Sequence, residues 1–86
     1  MVDLCAEVAK VVSDTFFLDP ATVAADSPLE ELGIDSKGRV RLLAALEVYY
    51  GVTIDLAQLD RFTDVAAVAG VLAEALDERT GTGRAS

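Results

Sequence analysis

The chain has 86 residues, a formal charge of −8 and an apolar fraction of 52%, enough for one small domain with a thin core. It holds no histidine and one cysteine, which excludes Ser-His-Asp and Cys-His triads, histidine metal sites and an internal disulfide, and leaves no metal site to expect. The acidic balance disfavours nucleic acid, and no uncharged apolar run is long enough to cross a membrane.

The start, "MVDLCAEVAK", carries Asp3 and Glu7 where a secretory signal has a basic region. With the single Cys5 this points to a cytosolic protein, and Cys5 itself reads as a small packed residue. From about Val2 to Leu18 the apolar residues Leu4, Val8, Val11, Val12 and Phe16 recur at helical spacing, which predicts a first helix. The connection "LDPATVAADSPLEELGID" follows, long and broken by Pro20, Pro28 and Gly33. Within it "SPLEEL" predicts one short turn, with Ser27 as its cap and Pro28 at its first position.

A second helix is expected from about Ser36 to Tyr50, with Leu42, Leu43, Leu46 and Tyr50 on one face and Gly51 closing it. "VTIDLAQLDRF" predicts a loop entering a short third helix, roughly Leu56 to Arg61. Thr63 is expected to cap a fourth helix through about Leu76, with Asp64 favourable in its first turn. Val65, Val68, Ala69, Leu72 and Leu76 form its apolar stripe. Phe16, Phe17, Tyr49, Tyr50 and Phe62 are expected to serve as core and hinge packing. The tail "ERTGTGRAS" is polar and glycine-bearing, so residues 79–86 are expected to be flexible and residues 1–78 to form the folded domain. The fold class is therefore all-α: a small four-helix bundle of three longer helices and one short one. No strand, internal repeat or second domain is expected, and the protein is read as a monomer.

The stretch "LGIDSKGRVRLLAALEVYYGV" carries the candidate site. Two readings of Ser36 stand side by side. Serine and aspartate are favoured at helix starts, where their oxygens accept free backbone N–H groups, so Ser36 can be a cap and nothing more. Asp35 can fill that role instead, which leaves the Ser36 hydroxyl free at a place that stabilises an anion through backbone donors and the helix dipole. With no base nearby, such a serine is no nucleophile by itself; another enzyme would have to attach a group to it.

Taken together, "LGIDS", the helix ending "LLAALEVYYGVTI" and "FTDVAAVAGVL" resemble an acyl carrier protein, and the resemblance covers nearly the whole chain to about Leu76. It implies an acyl-carrier-like bundle and a non-catalytic carrier. Ser36, following Asp35, would bear a 4′-phosphopantetheine arm holding acyl or aminoacyl groups as thioesters. A phosphopantetheinyl transferase would attach the arm from coenzyme A. Partners would be an acyltransferase, adenylating enzyme or ketosynthase of the same pathway, in a polyketide or related natural-product route. A discrete carrier is expected rather than part of a megasynthase, because no second domain and an initial Met1 are present. The reading that competes with it is a non-catalytic helical interaction module with Ser36 only a cap.

The chain departs from the family at the helix start. The family usually has leucine or methionine after the serine and often an acid five positions on; here stand Lys37 and Arg41, with Arg39 between them. Cations at a helix N-terminus oppose its dipole by roughly 0.3–1 kcal/mol each when exposed. Something outside folding is therefore expected to favour them. The candidate partner surface comprises Lys37, Arg39, Val40, Arg41, Ala44, Glu47 and Val48, suited to acidic or mixed patches. Arg61 and Phe62 are lesser candidates. "DSKGRVRLL" looks closer to stand-alone carriers of amino acids, such as D-alanyl carriers or carriers of β-amino acid starter units, than to fatty-acid carriers.

Overall fold

The computed structural model describes the backbone of residues 3–85 and the side chains of residues 3–78. Three α-helices, α1 (Leu4–Phe16), α2 (Ser36–Tyr50) and α3 (Val65–Ala85), are joined by 3₁₀ turns at Pro20–Thr22, Glu30–Leu32 and Leu56–Arg61. Among the described residues the sole β-type pairing is an isolated bridge between Pro28 and Asp64. The all-α class, with the short third helix over Leu56–Arg61, is as the hydrophobic spacing predicts.

Each helix begins where a carboxylate takes up its free amides. Asp3 accepts from the Cys5 and Ala6 amides and starts α1. The expected start at Val2 lies outside the described residues. The helix closes at Phe17, earlier than the expected Leu18, where the backbone turns left-handed and the Phe17 amide donates to the Ser13 carbonyl. Val8, Val11 and Val12 of α1 meet Leu42, Leu43 and Leu46 of α2 and Val65, Val68 and Leu72 of α3 in one buried cluster. Leu4, Cys5, Phe16 and Leu76 pack against its margin.

The long connection is not loose. Val23, Leu29 and Ile34 are buried. The Leu29 amide donates to the Thr63 carbonyl (2.9 Å), and the Ala25 carbonyl accepts from the Ala66 amide at the start of α3 (2.8 Å). Two expectations here are corrected. Ser27 does not cap the Glu30–Leu32 turn; its hydroxyl accepts from the Ala24 amide instead, and that turn has no side-chain cap. Asp64, not Thr63, caps α3, its carboxylate accepting from the Ala67 amide at 2.7 Å.

α3 also runs past the expected end at Leu76, with helical backbone to Ala85. The residues beyond Leu76 include good helix formers, and each glycine weakens a helix by only about 1 kcal/mol without stopping it. The expected boundary at residue 79 falls where side chains lie outside the described residues. Two aromatic rings also depart from the expected core: Phe17 is 94% exposed and Tyr49 60%. Phe62 is buried as expected.

Candidate functional site

The site is built by four consecutive residues before and within the first turn of α2. Gly33 turns the chain through φ 83°, a conformation that L side chains rarely adopt. Ile34 then drops into the core, and its amide donates to the Leu29 carbonyl. Asp35 is extended, and its Oδ1 accepts from the Gly38 amide at 2.8 Å. The cap position is thereby filled, and Ser36 is left as the first helical residue, exposed, with its hydroxyl in no hydrogen bond among the described residues.

The electrostatics of this end favour an anion. The Arg39 amide is satisfied by the Asp35 carbonyl and the Gly38 amide by the Asp35 carboxylate. The amides of Ser36 and Lys37 find no acceptor among the described residues. Open N–H groups at the positive end of a 15-residue helix form a seat for a phosphate-type group. The residues present therefore fit a phosphodiester on Ser36 Oγ.

The structure separates the three cations that the sequence groups together. Lys37 and Arg41 lie one turn apart and are exposed. With Phe16, Gly33, Asp35 and Gly38 they line an open depression of about 320 Å³ beside Ser36. Gly38 lies against the buried Ile34. A Cβ there would lie 2.8 Å from Ile34 Cγ2 and 3.4 Å from Phe16 Cε1. Arg39 instead shares the inward side of α2 with Leu42, Leu43 and Leu46. It is half-buried, and its Nε is enclosed without a hydrogen-bond partner.

Of the remaining candidates, Val40 (45% exposed), Ala44 and Val48 (86% exposed) continue the outer stripe beyond the cations. Glu47 is engaged in closing the helix: its Oε2 accepts from the Ile54 amide at 2.8 Å, and its carbonyl accepts from the Gly51 and Val52 amides. Arg61 donates to both carboxylate oxygens of Glu74, at 2.8 and 2.6 Å, and to Gln58. That bond holds the Glu74 carboxyl below the usual carboxylate range and raises the Arg61 guanidinium. Sequence reading assigned Phe16 to packing alone and did not see it as a wall of the depression.

A family model described as "Phosphopantetheine attachment site" matches residues 2–72. The chain belongs to that family. Its prosthetic group is 4′-phosphopantetheine, and the domain serves as a carrier that a transferase modifies. The carrier of Streptomyces coelicolor named "Acyl carrier protein" is 38% identical over 60 residues, covering 69% of this chain and 65% of that protein. "Clavatol synthase claF" of Penicillium crustosum is 30% identical over 84 residues, 94% of this chain but 3% of the synthase. "Citrinin polyketide synthase" of Monascus ruber is 35% identical over 63 residues, 73% of this chain and 2% of the synthase. The chain thus spans a small fraction of the fungal relatives and just under two thirds of the Streptomyces one. Among solved structures, a chain of "The ishigamide ketosynthase/chain length factor" superposes with a TM-score of 0.66 at 30% identity, over 83% of this chain and 90% of that one.

Proposed function

We propose that Ser36 bears the 4′-phosphopantetheine arm, and that the protein holds acyl or aminoacyl groups as thioesters and delivers them to enzymes of a polyketide-type pathway. The observation that carries this is the division of roles at the start of α2. Asp35 caps the helix, so nothing in the fold requires the Ser36 hydroxyl, which stands exposed beside two open amides. When bound, the arm supplies the thiol on which cargo is held. Ser36 Oγ anchors it, and the Ser36 and Lys37 amides stabilise the diester charge. No histidine exists in the chain to activate the serine, so the phosphoryl transfer from coenzyme A belongs to a separate transferase.

The outer face of α2 is the docking surface in this reading, running from Lys37 and Arg41 at the arm end to Ala44 and Val48 at the far end. A ketosynthase-type partner is supported by the polyketide synthase relatives and by the ketosynthase/chain length factor structure. An acyltransferase or adenylating enzyme would load the cargo, in the cytosol. If the protein were only a helical interaction module, Ser36 would be expected to hold the cap, and Asp35 holds it. Co-expression with a phosphopantetheinyl transferase of broad specificity followed by intact-mass measurement tests the proposal: one phosphopantetheinyl unit is gained by the wild-type chain and none by Ser36→Ala.

A further inference from the structure

Arg39 carries a cost that the fold does not explain. Its Nε is enclosed, so solvent does not reach it, and it has no hydrogen-bond partner. Among the described residues it is the sole buried side-chain nitrogen or oxygen in that state, and the Arg39 guanidinium joins no ion pair there. Buried polar groups almost always find partners, and a donor enclosed on a permanent cation is costlier than a neutral one. Leu42, Leu43 and Leu46, on the same side of α2, have no side-chain acceptor to offer. A purely apolar side chain at this half-buried position would cover them without that cost. The place of Arg39 in the helix points to the missing acceptor. It follows Ser36 by three residues within α2, a spacing that sets two side chains on adjoining turns of one helix surface, about 5–6 Å apart at Cβ. Helical side chains also lean towards the N-terminus, so Arg39 covers the turn that Ser36 begins. Lys37 and Arg41, one and five residues on, do not share that spacing.

We propose that Arg39 is a positioning residue for the phosphopantetheine arm. With the diester in place on Ser36, the Arg39 Nε–H turns out of its enclosure and donates to a phosphate oxygen. The inference rests on Ser36 as the attachment point, and goes beyond it by giving the root of the arm a side-chain partner as well as the open amides. Arginine suits the task, because its planar guanidinium meets phosphate through charge-assisted and often paired hydrogen bonds. The side chain is only half-buried, so a change of its torsions between staggered positions brings the donor outward. Two consequences follow. The unloaded chain carries an unsatisfied donor that the loaded chain does not, so loading stabilises the fold. Arg39 also fixes the direction in which the arm leaves the start of α2.

The test compares unloaded and loaded forms of the full-length wild-type, Arg39→Met and Arg41→Met chains, each form verified by intact mass. Tm is read by thermal unfolding and the Arg39 Nε–H by proton–nitrogen NMR, its resonance assigned by its loss in Arg39→Met. Methionine keeps an unbranched apolar stem and removes the donor, so unloaded Arg39→Met is expected to melt no lower than unloaded wild type. Loading is expected to raise the wild-type Tm by about 4–8 °C. Arg39→Met is expected to lose most of that gain and Arg41→Met to keep it. The gain is taken within each chain, so a change in packing made by the substitution cancels. The wild-type Nε–H resonance is expected to move downfield on loading. An equal gain in wild type and Arg39→Met, or an unmoved Nε–H resonance, overturns the role of Arg39 and leaves Ser36 as the attachment point. A gain lost equally in Arg41→Met assigns it to cationic charge at large and overturns the proposal. A wild-type chain that gains no mass at Ser36 overturns both readings.

Discussion

Asp35 and Ser36 are neighbours with opposite duties. The carboxylate of Asp35 holds the Gly38 amide, so Asp35→Ala is expected to destabilise the fold by about 1 kcal/mol, the usual loss for a cap. Ser36→Ala should leave stability unchanged, because the hydroxyl bonds to nothing among the described residues. Urea unfolding of the two variants separates the roles. Gly38 is held to its size by Ile34, whose methyl would sit 2.8 Å from an added Cβ. Alanine normally strengthens a helix interior over glycine by about 1 kcal/mol. Here the buried, β-branched Ile34 cannot yield cheaply, so Gly38→Ala is expected to lower stability by about 1 kcal/mol instead. A raised urea midpoint would contradict that packing. Tyr50 gives a pH-dependent test. Burial, and then its hydrogen bond to Glu7 Oε1 at 2.8 Å, push the phenol well above its ordinary value. The folded chain thus keeps a proton that the unfolded chain releases above about pH 10. The stability from this group is complete below that pH and falls as pH rises through the alkaline range. Tyr50→Phe is expected to flatten that alkaline decline and to lose about 1 kcal/mol at neutral pH, measurable by unfolding at a series of pH values.

At the scale of elements, the start of α3 organises the long connection. Its Ala66 amide bonds Ala25, its Ala67 amide bonds Asp64, and the preceding Thr63 carbonyl takes the Leu29 amide. These bonds place Leu29 and Ile34 in the core, and Ile34 fixes the entry to α2. Gly70, by contrast, is exposed in mid-helix with nothing within 4 Å of an added Cβ. Gly70→Ala is expected to stabilise the protein by about 1 kcal/mol, seen as a higher urea midpoint at unchanged slope. The contrast with Gly38 shows what sequence does and does not reveal. α2 was legible from Ser36 to Tyr50 because Asp35 and Gly51 mark its ends and the leucines mark its face. The Leu56–Arg61 turn was legible from its spacing. The choice of Asp64 over Thr63 as cap was not, because the Thr63 backbone is committed to a distant strand-like contact with Leu29 that no local pattern announces. The continuation of α3 to Ala85 was missed because polar, glycine-bearing composition was read as an end, and a helix tolerates it.

For the whole molecule, the consequence is a division of surfaces. One side of each helix closes the core; the free side of α2 presents Lys37 and Arg41 beside Ser36. The carrier fold was legible from the resemblance carried by the combined motifs, with which capping, core spacing and glycine stops agree along the chain. The grouping of Arg39 with the outer cations was a reading by charge, whereas helical spacing to Leu42, Leu43 and Leu46 already places it inward. The exposure of Phe17 was not legible, because only the left-handed close of α1 turns that ring away from its neighbour. If the cations steer partners, Arg41→Glu should slow association with an acidic partner surface, with a loss that shrinks as salt rises, because exposed charges are screened. Equal association rates at low salt would remove Arg41 from the docking face. The central claim concerns Ser36, and intact-mass spectrometry tests it most directly. After exposure to coenzyme A and a broad phosphopantetheinyl transferase, the wild-type chain is expected to gain one phosphopantetheinyl unit. An equally stable Ser36→Ala chain is expected to gain none. An unmodified wild-type chain, or the same gain in Ser36→Ala, would contradict the assignment.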